Sequence, residues 1–260
     1  MNGNRSVATV GREDLSRFMV HLTRDDRGDP GGMTARDNFM QMLGIGEITA
    51  LRPHCLHRRS VPEAHLAKFN VCCFTECPLT QIQHMIGYKP GRQVQLEPYG
   101  FVFRRELLIE RGAQPVTNIN SYDVDKSIRQ AYDMDFEEAK RMKFTGTRWK
   151  KLAFLSAMHS GYDFSWEREW RHLADFSFEK SDLVCVVVPD GEDVEIREKL
   201  ARLAVPMFCP EWGLEQLLEE FGRQQRRTKR LIAQPFAKKP TTPPPVKRVL
   251  PPKPLRKRLP

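Results

Sequence analysis

No apolar run in this 260-residue chain approaches the roughly 18 residues that a membrane span needs. The opening Met1-Asn2-Gly3-Asn4-Arg5 lacks the apolar stretch of a signal peptide, so a cytoplasmic protein with no membrane partner is expected. Cysteine is scarce: Cys55, Cys72, Cys73, Cys77, Cys185 and Cys209 are too few in a chain this long for a disulfide scaffold, and reduced thiols are expected. There is no phosphate-cradling glycine loop, no G-x-S-x-G elbow and no EF-hand, which removes kinase, nucleotide-hydrolase, serine-hydrolase and calcium-switch readings. Acidic residues are missing from Arg223 onward, where 13 basic residues stand alone. Met1 to Gly222 then holds 29 basic and 33 acidic residues, so the chain's net charge of +9 belongs wholly to its C-terminal stretch. A basic domain that coats nucleic acid throughout is excluded, and any polyanion would be met by the tail.

In a chain with 40% hydrophobic residues, 1–222 is long enough to bury one sizeable core. Phe18, Val20 and Leu22 alternate with Met19, His21 and Thr23, predicting a strand with His21 and Thr23 on one face. Thr34 is a good N-cap for a helix over Ala35 to Leu43 that Gly44 stops. Asn70 to Thr75 reads as a second strand, and Pro78 opens a helix carrying Leu79, Ile82, Met85 and Ile86. Tyr99 to Phe103 and Pro115 to Ile119 read as strands, separated by a short helix ending at Gly112. The mixed charges of Asp123 to Lys151 predict two amphipathic helices. Trp166 to Leu173 alternates again, and Leu183 to Val188, the most hydrophobic run, predicts the central strand. Asp193 to Leu203 and Glu211 to Phe221 close the body as helices. The expected fold is α+β, a mixed central sheet with inserted helices.

In 223–260, nine prolines between Pro235 and Pro260 predict a largely disordered tail with polyproline II character. Its basic residues, Arg226, Arg227, Lys229, Arg230, Lys238, Lys239, Lys247, Arg248, Arg256, Lys257 and Arg258, suit contacts to phosphates. Arg248 to Pro254 also fits a polyproline ligand, and a purely solubilising tail is the third reading.

On a strand, Glu167, Glu169 and Arg171 would share one face. Two readings follow: an exposed edge strand with a Glu–Arg ladder, or a catalytic carboxylate, Glu169, held by Arg171. His54, Cys55, His57, Cys72, Cys73 and Cys77 fall within 24 residues, but their spacing matches structural zinc only loosely, and no metal is expected.

The series Phe18-Met19-Val20-His21-Leu22-Thr23, Asn38-Phe39, Cys73-Phe74-Thr75-Glu76-Cys77-Pro78-Leu79, Tyr99-Gly100-Phe101-Val102-Phe103 and Glu169-Trp170-Arg171 resembles the layout of bacterial abortive-infection proteins that act as antitoxins. More distantly it is similar to ADP-ribosyltransferase toxins that modify DNA bases. The resemblance implies an ADP-ribosyltransferase-like fold and NAD as cofactor. It puts His21 on the NAD ribose, Tyr99 or Phe103 against the nicotinamide, and Glu169 at the oxocarbenium-like transition state. Beside these, Glu167 is expected in the catalytic set with Glu169, and Thr23, Asn38 and Arg171 in the cofactor set. The resemblance leaves two functions open. One is transfer of ADP-ribose to a nucleic acid or protein; the other is a non-catalytic antitoxin or defence module that holds a cognate toxin, a phage component or nucleic acid.

Overall fold

The computed structural model describes residues 16–28, 31–52, 55–92, 94–120, 125–158, 164–191 and 194–233. In chain order the strands are β1 (Phe18–Arg24), β2 (Glu47–Ile48), β3 (Val71–Thr75), β4 (Leu96–Arg104), β5 (Gln114–Pro115), β6 (Thr117–Ile119), β7 (Leu155–Ala157), β8 (Glu169–Leu173), β9 (Phe176–Ser177), β10 (Leu183–Val187) and β11 (Met207–Phe208). The α-helices are α1 (Ala35–Ile45), α2 (Arg105–Glu110), α3 (Ser127–Arg141), α4 (Val194–Leu203) and α5 (Leu214–Ala233). Seven strands form one mixed sheet in the order β11-β10-β4-β1-β3-β8-β5, with β10 and β11 parallel. Two short pairs, β2 with β9 and β6 with β7, stand apart from it.

Both faces of this sheet are covered, which explains why β1 buries Met19 and Val20, and Leu22 and Thr23, on alternate sides. On one face α1, α2 and α4 pack Phe39, Leu43, Leu108, Ile196 and Leu200 against Met19, Phe74, Phe101, Phe103 and Val186. The opposite face is shared. Phe136 of α3 and the 3₁₀ turn Arg148–Phe154 cover the β3–β8 half. Ile82, Met85 and Leu217 of α5 cover Val20, Leu22, Val102, Cys185 and Val187. The two halves meet at a thin seam: β1 is in register with β4 at six positions, Phe18 to Leu22 and Arg24, but with β3 only at Val20↔Thr75. At Leu22↔Gly100 the backbones approach so closely that a side chain on Gly100 would meet the His21 carbonyl at 2.3 Å.

Local signals translate directly in several places. Thr34 caps α1, its hydroxyl accepting the Asp37 amide at 3.1 Å. Gly44 lies inside that helix, and the stop is Gly46, whose φ of 77° supplies the left-handed C-cap. Other expectations change. The turn after Pro78 and the second helix expected before Lys151 are 3₁₀ (Leu79–Met85 and Arg148–Phe154). Pro115 to Ile119 splits into β5 and β6, which belong to different sheets. The most hydrophobic run, β10, is next to the edge, because the short parallel β11 borders it and β1 takes the centre. α5 continues past Phe221 through Ala233 with Gln224 buried, so the ordered body extends beyond Gly222. Among the described residues no helix is long and apolar enough to cross a membrane.

Candidate functional site

β3 and β8 run antiparallel with Thr75 opposite Glu169 and Cys73 opposite Arg171. Side chains two apart on a strand share a face, so Glu169 and Arg171 point the same way and meet. The Arg171 guanidinium grips the carboxylate with both prongs, Nε to Oε1 at 2.9 Å and Nη2 to Oε2 at 2.8 Å. Its third edge donates Nη1 to the Ala153 carbonyl at 2.7 Å. Arg171 is 1% exposed, whereas the Glu169 side chain keeps 21%. Burial alone would lower the guanidinium's pKa, but the charge and hydrogen bonds of Glu169 more than offset it and raise the value. Such a buried pair is tolerated because fork-to-fork geometry and the extra carbonyl satisfy the desolvated charge. Burial, and then Glu169, hold the Cys73 thiol well above its ordinary pKa.

Glu167 does not join this row. The segment Phe164–Glu167 is a 3₁₀ turn, and Arg168 adopts a left-handed φ of 47°, which breaks the expected alternation immediately before the strand begins. The Glu167 carbonyl accepts the Thr75 hydroxyl, and its carboxylate reaches Arg92 Nε at 3.3 Å, both side chains being nearly buried.

At the same end of the sheet lies a third carboxylate that sequence reasoning left unassigned. Glu76 follows β3, is buried, and accepts the Trp170 indole N–H at 3.0 Å. Arg105, the first residue of α2, meets the other Glu76 oxygen at 2.7 Å, close but poorly aligned for a hydrogen bond, and stacks over Trp170 at 5.3 Å. The available signal was a lone Glu inside the apolar stretch Cys73 to Leu79, a position that folding buries only with a partner.

The proposed cofactor residues sit elsewhere. His21 projects to the α1 side, between Phe74 at 5.8 Å and Phe101 at 6.5 Å, and its Nδ1 bonds the Cys73 carbonyl at 2.8 Å across the seam. Burial, then the Arg24 charge, outweigh that bond and lower its pKa to about 4, so the ring is neutral at pH 7. Thr23 donates its hydroxyl toward the carbonyls of Ala35 (2.9 Å) and Tyr99 (3.1 Å), tying β1 to α1 and β4. Asn38 donates to the Arg24 carbonyl and to Asp26, closing the loop after β1. The Tyr99 ring packs on Phe39 at 5.9 Å. Phe103 is fully buried among Phe74, Phe176 and Phe178, which makes it core and removes it as a nicotinamide contact. His21 and Glu169 therefore occupy opposite faces of the sheet, and Thr23, Asn38 and Tyr99 lie toward the end away from Glu167 and Glu169.

Arg226 lies on α5, as do the backbones of Arg227, Lys229 and Arg230. Lys238, Lys239, Lys247, Arg248, Arg256, Lys257 and Arg258 lie outside the described residues. Among the described residues no cluster of three His, Cys, Asp or Glu side chains is arranged to hold a metal ion. The six cysteines form no disulfide, and burial pushes the Cys72 and Cys185 thiols up to about 12. No protein-family model, curated protein or solved structure matches this chain.

Proposed function

We propose that the protein is a non-catalytic binding module of the abortive-infection or antitoxin kind, related in fold to ADP-ribosyltransferases, and that it contacts nucleic acid through its basic C-terminal portion. The observation that supports this reading over NAD chemistry is the separation of His21 from Glu169 by the thickness of the sheet. A carboxylate that stabilises an oxocarbenium ion must face the ribose that the histidine holds. Here both Glu169 oxygens are occupied by the Arg171 fork, which neutralises the charge the reaction would need. Eight basic and no acidic residues follow Ala233, a composition suited to phosphates and to binding that weakens steeply with salt.

The test has two arms. Glu169→Gln, confirmed folded by circular dichroism, should keep phage protection or toxin neutralisation in cells, and wild-type protein should neither consume labelled NAD nor transfer label to DNA, RNA or lysate protein. Truncation after Ala233, which preserves α5, should abolish binding to duplex DNA or RNA in a mobility-shift titration. Glu169-dependent NAD loss would overturn the reading in favour of the transferase. Undiminished nucleic-acid binding by the truncated chain would overturn the role of the tail.

A further inference from the structure

We propose that the folded body carries a second nucleic-acid contact, a phosphate-binding surface formed by Lys68, Lys143 and Lys150 around the turn that follows α3. The inference rests on the nucleic-acid reading above and adds a docking point that the tail does not contain. The body is acidic as a whole, yet Ala139 to Met158 holds six basic residues, Lys140, Arg141, Lys143, Arg148, Lys150 and Lys151, and no acidic one. All six are exposed. Three buried aromatic residues fix where this surface lies. The ring of Phe69, which ends the 3₁₀ helix Glu63–Phe69, is 5.4 Å from Phe144 and 5.1 Å from Trp149, centroid to centroid. Each of the three has an exposed lysine as its chain neighbour: Lys68, Lys143 and Lys150. With the rings turned into one cluster, the lysines are held around it at the surface. Lys68 Nζ donates to the Phe144 carbonyl at 3.0 Å, which sets it beside Lys143. Lys143 and Phe144 are both left-handed, at φ 53° and 51°, so the chain bends sharply there with Lys143 at the bend. Side chains rarely adopt that conformation, and burial of the Phe144 ring offsets its cost.

The acids of α3 do not neutralise this surface, because each already has a partner. Asp133 meets His57 and Arg129, Asp135 meets Lys151, Glu137 meets Lys140, and Glu138 meets Arg148. Lys68, Arg141, Lys143 and Lys150 have no acidic partner among the described residues. The exposed Thr147 adds a hydroxyl between Lys143 and Lys150. Uncompensated cations on a fixed backbone suit a polymer of regularly spaced phosphates, whose released counterions drive binding. So few contacts hold a duplex weakly by themselves. Tethering by the tail raises the local concentration of phosphate, and the two contacts then act as one bivalent site.

The test titrates the full chain with a labelled DNA duplex over a range of salt concentrations. A variant combining Lys68→Gln, Lys143→Gln and Lys150→Gln is compared with one combining Arg17→Gln, Arg104→Gln and Lys180→Gln, exposed bases elsewhere on the body, so that both lose the same charge. The lysine variant should bind roughly tenfold more weakly or worse, and the steepness of log K against log salt should drop by about 2 to 3, near 0.9 for each lost phosphate contact. The comparison variant should keep the wild-type slope. If losing the Lys68 bond lowers the melting temperature, Lys143→Gln with Lys150→Gln decides, with an expected drop of about 2. Wild-type binding with the two triple variants indistinguishable overturns the surface and leaves the tail reading standing. Lysine-dependent binding that survives truncation after Ala233 keeps the surface and overturns the tail reading. A wild-type chain that binds neither DNA nor RNA overturns both. Lysine-dependent retention on phosphatidylserine vesicles that exceeds retention on the duplex assigns the surface to a membrane and overturns the proposal.

Discussion

The pair Glu169–Arg171 in β8 and the pair Glu219–Arg223 in α5 have similar chemistry and nearly equal separations, 2.8 and 3.0 Å, yet they live in different media. Arg171 is 1% exposed and each of its polar edges is matched inside the fold, so its charge is committed to holding β8 under Ala153. Arg223 and Glu219 are 58% and 70% exposed, share their charge with water, and leave the helix surface available to a partner. A charged row is therefore a poor guide to chemistry until its burial is known. The row that looks catalytic is internally satisfied, and the helix that looks routine keeps an uncovered apolar stripe, Leu214, Leu218 and Phe221.

The sharpest way to break this contrast is Arg171→Met, which leaves Glu169 half-buried without a counter-charge. A loss of about 3–5 kcal/mol in urea unfolding is expected. Acid is the next probe. The folded pKa of His21 is depressed to about 4 from an ordinary 6.5, so between these values the unfolded chain binds more protons than the folded one. Its contribution is complete above about pH 6.5 and is lost as pH falls toward 4, on the order of 3 kcal/mol in all. His57, also lowered by burial, adds a term of the same sign. His21→Leu should flatten the stability profile over that window, and an unchanged slope would show that other groups carry it. Thr23→Val removes the hydroxyl donor from the Ala35 and Tyr99 carbonyls and should cost about 1–2 kcal/mol in thermal melts. Arg223→Met should change stability by less than about 0.5 kcal/mol. If it costs as much as Arg171→Met, the distinction between the two pairs fails.

Much of the fold was legible because its signals are local. Alternation over Phe18 to Thr23 marked β1, Thr34 marked the start of α1, and the apolar run from Leu183 marked β10. The acid–base asymmetry around Arg223 was equally plain, though the helix running through it was not, since Gln224 gains its reason to be helical only by packing on the domain. The site was legible in parts. Residue spacing forecast the contact of Glu169 with Arg171, because two residues on a strand always share a face. Arg168 at positive φ hid the exclusion of Glu167, and nothing within a single segment couples Glu76 to Trp170, 94 residues away.

The sequence by itself determined the mixed α+β composition, the cap of α1, the alternation of β1 and the confinement of the excess positive charge to the last part of the chain. These depend on backbone propensity, period and count, which neighbours in the chain settle between themselves. Only the tertiary structure decided that His21 and Glu169 face opposite sides, that Phe103 is core, that Glu76 is a buried partner of Arg105, and that Leu214, Leu218 and Phe221 stay uncovered. Those depend on strand order and register, where a shift of one residue turns a side chain to the other face, and on which surfaces the remaining helices happen to cover.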